Sequence, residues 1–116
     1  MASATEQYAR QIGTWHDRLY QAWPSRRGYW FTFEHTVSGW KIYITASPSY
    51  GGRPSGSVQT HRFGIGSRPY ICWDNTIKTL SDAQAVAALW ADCTENYIAT
   101  GKFEPPPGRP RPGPWF

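Results

Sequence analysis

Residues 29–46, YWFTFEHTVSGWKIYITA, alternate apolar and polar side chains with a period of two on either side of a short Val37-Ser38-Gly39 connection. In the first arm Phe31 and Phe33 alternate with Trp30, Thr32 and Glu34; in the second Trp40, Ile42 and Ile44 alternate with Lys41, Tyr43 and Thr45. Aromatic and β-branched residues in that rhythm predict two antiparallel strands joined as a hairpin, with Gly39 free to take a positive φ.

Downstream of the hairpin, residues 47–57 are rich in Pro, Gly and Ser and predict a mobile loop. A third strand is expected from Gln59 to Ile65, with Phe63 and Ile65 toward the core and Thr60, Arg62 and Gly64 outward. After the Gly66-Ser67-Arg68-Pro69 turn, Tyr70 to Trp73 reads as a short fourth strand or a continuation of the sheet edge. Ser81 with Gln84 forms a capping box, Asp82 suits the first helical turn and Gly101 suits a C-cap, which predicts a helix over 81–100. Its core face would carry Val86, Leu89, Trp90, Cys93 and Tyr97, leaving Asp92, Glu95 and Asn96 outward.

Upstream, Tyr8, Ile12, Trp15, Leu19 and Trp23 recur every three or four residues, so a helix is expected over 4–23, capped by Ser3 and Glu6 and stopped by Pro24. The C-terminal run PPPGRPRPGPWF, residues 105–116, predicts extended polyproline-like chain that stands apart from the core. The expected architecture is a single small α+β domain over 1–103: a helix at 4–23, a three- or four-stranded antiparallel sheet at 28–73 and a helix at 81–100. Both helices would pack on one face of the sheet, and 104–116 would form a Pro-rich tail.

With 116 residues, 40% of them hydrophobic, the chain suits one compact domain and excludes a two-domain enzyme. Its 12 Lys and Arg against 8 Asp and Glu give a formal charge of +4, a mild attraction to polyanions without the basicity of a tail-like binder. Apolar runs fall far short of the ~20 residues of a membrane span, and the N-terminus lacks the pattern of an export signal. A cytoplasmic protein with no membrane partner is therefore expected. Cys72 and Cys93 do not form a C-x-x-C pair and read as free thiols, with a bridge between them open if strand and helix bring them together.

The strand pattern leaves Trp30, Lys41, Tyr43, Thr45 and Arg62, with Tyr70 as a further candidate, on the sheet face away from the helices. Residues 26–72 hold six cations, Arg26, Arg27, Lys41, Arg53, Arg62 and Arg68, against Glu34 alone, a net of +5, whereas residues 74–96 net −3. Cations that track phosphates, interleaved with rings that stack on unpaired bases, make that face a candidate nucleic-acid surface. Three other readings compete with it. The aromatics can be ordinary cross-strand packing; the tail can fold back over Trp30, Tyr43 and Tyr70; or the tail, through Arg109, Arg111 and Trp115, can itself be a ligand resembling the proline-rich peptides bound by SH3-type grooves.

The helix–strands–helix order resembles, in topology, double-stranded-RNA-binding domains, and Trp30 to Trp90 resembles the AP2-like arm-type DNA-binding domains of integrases, which imply DNA contacts from the sheet. The RNA-binding family has a lysine-rich start to its last helix; here Lys78-Thr79-Leu80-Ser81-Asp82-Ala83-Gln84 carries one cation and then an acid.

No catalytic or metal motif is present: His16, His35 and His61 lack ligand spacing, and Gly51-Gly52 and Gly64-x-Gly66 lack a phosphate-loop Lys. The sequence therefore predicts a non-enzymatic binding protein without cofactor or metal. Its partner is nucleic acid or, on the alternative reading, a protein, as in the compact interaction modules and inhibitors made by phages and mobile elements.

Overall fold

The structure, a computed structural model, describes residues 14–110 and Trp115. Tyr8 and Ile12 of the expected first helix, and Arg111 of the tail, lie outside the described residues. The chain runs β1 (Thr14–Gln21), β2 (Gly28–Thr36), β3 (Gly39–Ala46), a single helical turn α1 (Ser57–Thr60), β4 (Arg62–Phe63), β5 (Tyr70–Ile71) and one long helix α2 (Leu80–Thr100). The strands form an antiparallel sheet in the order β1-β2-β3-β5-β4, and the class is α+β.

The central hairpin β2–β3 pairs Thr36 with Gly39, leaving Val37 and Ser38 as its loop. Gly39 sits at φ +113°, and a Cβ there would come within 2.7 Å of the Ile77 carbonyl, so only glycine closes this turn. On the inner face Tyr29, Phe31, Phe33, Ile42 and Ile44 meet α2, whose Ala83, Ala87, Ala88 and Ala91 are all fully buried. Small helix residues let the backbone approach the aromatic sheet closely, and Trp90 then stands edge-on to both Tyr29 and Phe31.

Over the described residues, the expected helix at 4–23 is strand β1. Trp15 pairs with Phe33 and Leu19 with Trp30, so two members of the apparent helical stripe lie on opposite sheet faces. The misleading spacing comes from a bulge: His16 and Asp17 together oppose Thr32, with Asp17 at φ +49° and its amide 3.4 Å from the Thr32 hydroxyl. The inserted residue spoils the period of two, and 15, 19 and 23 then mimic a period near 3.6. The space against Tyr20, Phe31 and Phe33, where a second helix was expected, is filled by the Trp115 ring at centroid distances of 5.3–5.7 Å. Trp115 is therefore packed against the core and Pro106 is buried, so at these residues the C-terminal segment does not stand apart as expected.

Residues 59–65 also differ from expectation. Residues 57–60 form a helical turn and His61 is left-handed at φ +53°, so only Arg62 and Phe63 extend, and they do so in the opposite phase. Phe63 pairs with Tyr70 on the outer face while Arg62 pairs with Ile71 on the inner one. The helix starts slightly earlier than its Ser81 signal, because the Thr79 hydroxyl accepts from the Asp82 amide at 3.0 Å; Gly101 at φ +86° ends it.

The largest departure is on α2 itself. Asp92, Glu95 and Asn96 are buried, not outward. Asp92 accepts hydrogen bonds from the Tyr20 hydroxyl (2.9 Å), the Trp23 amide (2.8 Å) and Arg109 Nε (2.5 Å). Glu95, one turn on, accepts from Ser25, from Arg27 through Nε (2.9 Å) and its terminal nitrogen (2.8 Å), and from the Tyr29 hydroxyl (2.6 Å). These bonds tie the β1–β2 connection and the C-terminal segment to the helix.

Burial would raise the Glu95 carboxyl, but the bonds from Arg27, Ser25 and Tyr29 outweigh it and hold its pKa below the ordinary value. Burial first, then the partner carboxylates, push the Tyr20 and Tyr29 hydroxyls well above theirs. The Glu95 contribution is thus complete above the unfolded glutamate pKa of about 4.3 and is lost as pH falls through the folded value; that of the tyrosines is complete below about pH 10 and lost above it. Glu95→Gln should cost about 2–3 kcal/mol at neutral pH and flatten the acid limb of stability against pH, measured by urea unfolding; an unchanged acid limb would refute this assignment. Trp115→Ala should cost about 2 kcal/mol, a fall in Tm of roughly 8–10 °C, whereas a dispensable tail would leave Tm unchanged.

Candidate nucleic-acid interface on the open sheet face

No helix covers the outer face of the sheet among the described residues. Strand alternation places Trp30 and Glu34 of β2, Lys41 and Tyr43 of β3, Tyr70 of β5 and Phe63 of β4 on that side. At its centre Tyr43 is only 8% exposed. The Arg68 guanidinium lies 3.4 Å from its ring centroid, and Lys41 Nζ sits 3.9 Å from the centroid of Tyr70 and 5.3 Å from that of Tyr43. The two tyrosines meet edge-to-face at 6.1 Å. Two cations are thus held within cation–π distance of a pair of rings, an arrangement that fixes the charges on this face.

Arg68 reaches this position through the β4–β5 turn. Gly64 at φ +70° has no room for a side chain, since a Cβ would approach the Arg68 carbonyl to 2.6 Å, and the Pro69 carbonyl accepts from the Ile44 amide at 2.9 Å, pinning the turn to β3. Glu34 is the acid of the face; its carboxylate stands 3.8 Å from Arg68, a loose and partly exposed pair that neutralises little. Flanking the cations are two exposed rings, Trp30 at 40% and Phe63 at 49%. The face therefore has a charged middle and aromatic ends.

The other sequence-predicted cations are placed elsewhere. Arg27 forms the ion pair with buried Glu95, which raises its own pKa through that hydrogen bond. Arg53 donates to the Ile98 and Ala99 carbonyls at the end of α2, satisfying helix-terminal acceptors. Arg62 bonds the Thr60 hydroxyl and the Ser55 carbonyl, both at 2.8 Å, with its guanidinium 4.8 Å from the Tyr50 ring. With Tyr97 also donating to the Pro54 carbonyl at 2.6 Å, the loop expected to be mobile is fastened to the helix. Arg26 is exposed, 5.4 Å from the Trp23 ring in the β1–β2 connection. Arg109 and Trp115 serve the interior, and Trp115 packs on the inner face, so it leaves Trp30 and Tyr70 uncovered.

Of the predicted set, the structure therefore brings together Trp30, Lys41, Tyr43 and Arg68. Sequence reasoning missed Phe63, because the phase of β4 is reversed; the adjacent left-handed His61 leaves no signal that would have shown it. Cys72 and Cys93 are both free, and among the described residues no group of three or more His, Cys, Asp or Glu side chains could hold a metal ion.

The two aromatics of the face should separate in a thermal melt. Tyr43→Ala removes a buried ring and should cost about 3 kcal/mol, while Trp30→Ala should cost less than about 1 kcal/mol; equal losses would mean that Trp30 is a packing residue. A comparison of the chain with known protein families, with characterised proteins and with solved structures finds no match in any of the three.

Proposed function

We propose that this chain is a non-enzymatic binding protein that takes unpaired nucleic acid across the outer face of its sheet. The observation that carries this reading is the pairing of Lys41 and Arg68 over the Tyr43 and Tyr70 rings, flanked by exposed Trp30 and Phe63. Phosphates would lie against the two cations, and bases would stack on the outer rings at about 1–3 kcal/mol each. Such rings need bases freed from a duplex, and so few free cations suit a short single-stranded site better than a groove of double helix. Two free thiols support a reducing, cytoplasmic setting.

A protein partner is the second reading, favoured by one observation: Phe63 and Ile65 are both about half exposed beside Arg68, and apolar residues with Trp, Tyr and Arg resemble a binding hot spot. Salt separates the two. Anisotropy of a labelled single-stranded oligonucleotide should show roughly micromolar binding whose log K falls with log salt at a slope of about −1.4, as expected for two neutralised phosphates. Lys41→Ala with Arg68→Ala should remove most of that slope and weaken binding at least tenfold, while Arg53→Ala should change stability but not affinity. Salt-independent binding, or unchanged affinity in the folded double variant, would move the assignment to the protein partner.

A further inference from the structure

On the side of the molecule where α2 meets the segment after β5, a cleft of about 330 Å³ opens between His61, Trp73, Asp74, Leu89, Trp90 and Phe103. That volume is at the lower end of small-molecule sites. Its walls are fixed by the fold. His61 stacks on Phe103 at 4.2 Å and 18°, and the Trp90 indole N–H donates to the Thr60 carbonyl at 3.0 Å, which holds the ring in place. Trp73, at the mouth, is 45% exposed although it is among the largest apolar side chains. A second cleft of about 310 Å³ shares Trp73, Val86 and Leu89 with the first, so the apolar surface continues along the helix.

The charge of this surface is one-sided. Asp74 lines the first cleft and Asp82 the second, no Lys or Arg among the described residues lines either, and neither carboxylate takes part in an ion pair there. Asp92 and Glu95, the other acids of the segment, are consumed by Arg109 and Arg27, which leaves Asp74 and Asp82 against the exposed Lys78, and Lys78 lines neither cleft. Aromatic walls with a carboxylate and no cation in the lining disfavour anions and attract a cation that also carries apolar surface. Indole is the ring that holds such a cation best.

We infer that this cleft is a site for a small organic ammonium compound, with Trp73 facing the cationic group, Asp74 supplying the countercharge and Leu89 and Phe103 enclosing the apolar part. This site is separate from the sheet-face assignment and does not depend on it, because its lining includes none of Trp30, Lys41, Tyr43 or Arg68.

The test uses three probes of similar size on the full chain: benzyltrimethylammonium, benzyl alcohol and benzoate, each titrated at pH 8 by calorimetry with amide NMR to locate the shifts. The ammonium should bind about tenfold more tightly than the alcohol, benzoate should bind most weakly, and shifts should centre on residues 71–75 and 86–93. Trp73→Ala and Asp74→Asn change exposed side chains and should leave the fold intact while each weakens the ammonium about threefold. Equal binding of the three probes, ammonium affinity unchanged in both variants, or shifts confined to the sheet face would each overturn the inference.

Discussion

Two carboxylates on a buried flank of one helix organise the molecule. Asp92 and Glu95 are three residues apart, so they project from the same side of α2 one turn from each other. Between them they collect Tyr20, Trp23, Ser25, Arg27, Tyr29 and Arg109, groups drawn from β1, the β1–β2 connection, β2 and the C-terminal segment. Burying an anion is costly, and the cost is recovered only when its lone pairs meet donors and its charge meets a cation. That requirement draws the C-terminal segment inward. Arg109 goes to Asp92, and Trp115, six residues on, covers the aromatic inner face at Tyr20, Phe31 and Phe33.

The same requirement decides how the cations are used. Read as a count, residues 26–72 are strongly basic. In space, Arg27 answers Glu95, Arg53 answers the last carbonyls of α2, and Arg62 bridges α1 to the preceding loop. Each does structural work that a linear tally cannot distinguish from phosphate binding. Of the other three, Arg26 is exposed in the β1–β2 connection, and Lys41 and Arg68 form a focused pair whose value lies in position: both are held against tyrosine rings on a face that nothing described covers.

The hairpin was legible because alternation from Phe31 to Ile44 admits one pairing, with an irregularity only at its far end where Trp30 opposes Ala46, and because Gly39 marks its turn. The long helix was legible from its ends, Asp82 in the first turn and Gly101 beyond the last. What could not be read were the places where one residue changes the phase. The extra residue at His16–Asp17 turned a strand into an apparent helix, and left-handed His61 exchanged the faces of Arg62 and Phe63. Both errors have the same origin, since side-chain direction in a strand depends on every preceding residue being extended. The buried acids were missed for a different reason. Asp and Glu on a helix usually face water, and only the arrival of tyrosines and arginines from distant segments makes their burial favourable.

Pairing therefore leaves the chain with a charge separation smaller than the segment counts give but confined to two surfaces. The basic groups not consumed by the interior include Lys41 and Arg68 over the open sheet face, and the free acids of residues 74–96 line the clefts between α2 and the segment after β5. An anionic ligand approaching the molecule meets attraction on one surface and repulsion on the other, and a cationic ligand meets the reverse. Because Arg27 and Arg109 answer the buried Glu95 and Asp92, those acids add little net charge to either surface. The internal network thus does more than close the fold: by pairing Glu95 with Arg27 and Asp92 with Arg109, it leaves each exposed surface with the sign of charge that its own residues give it.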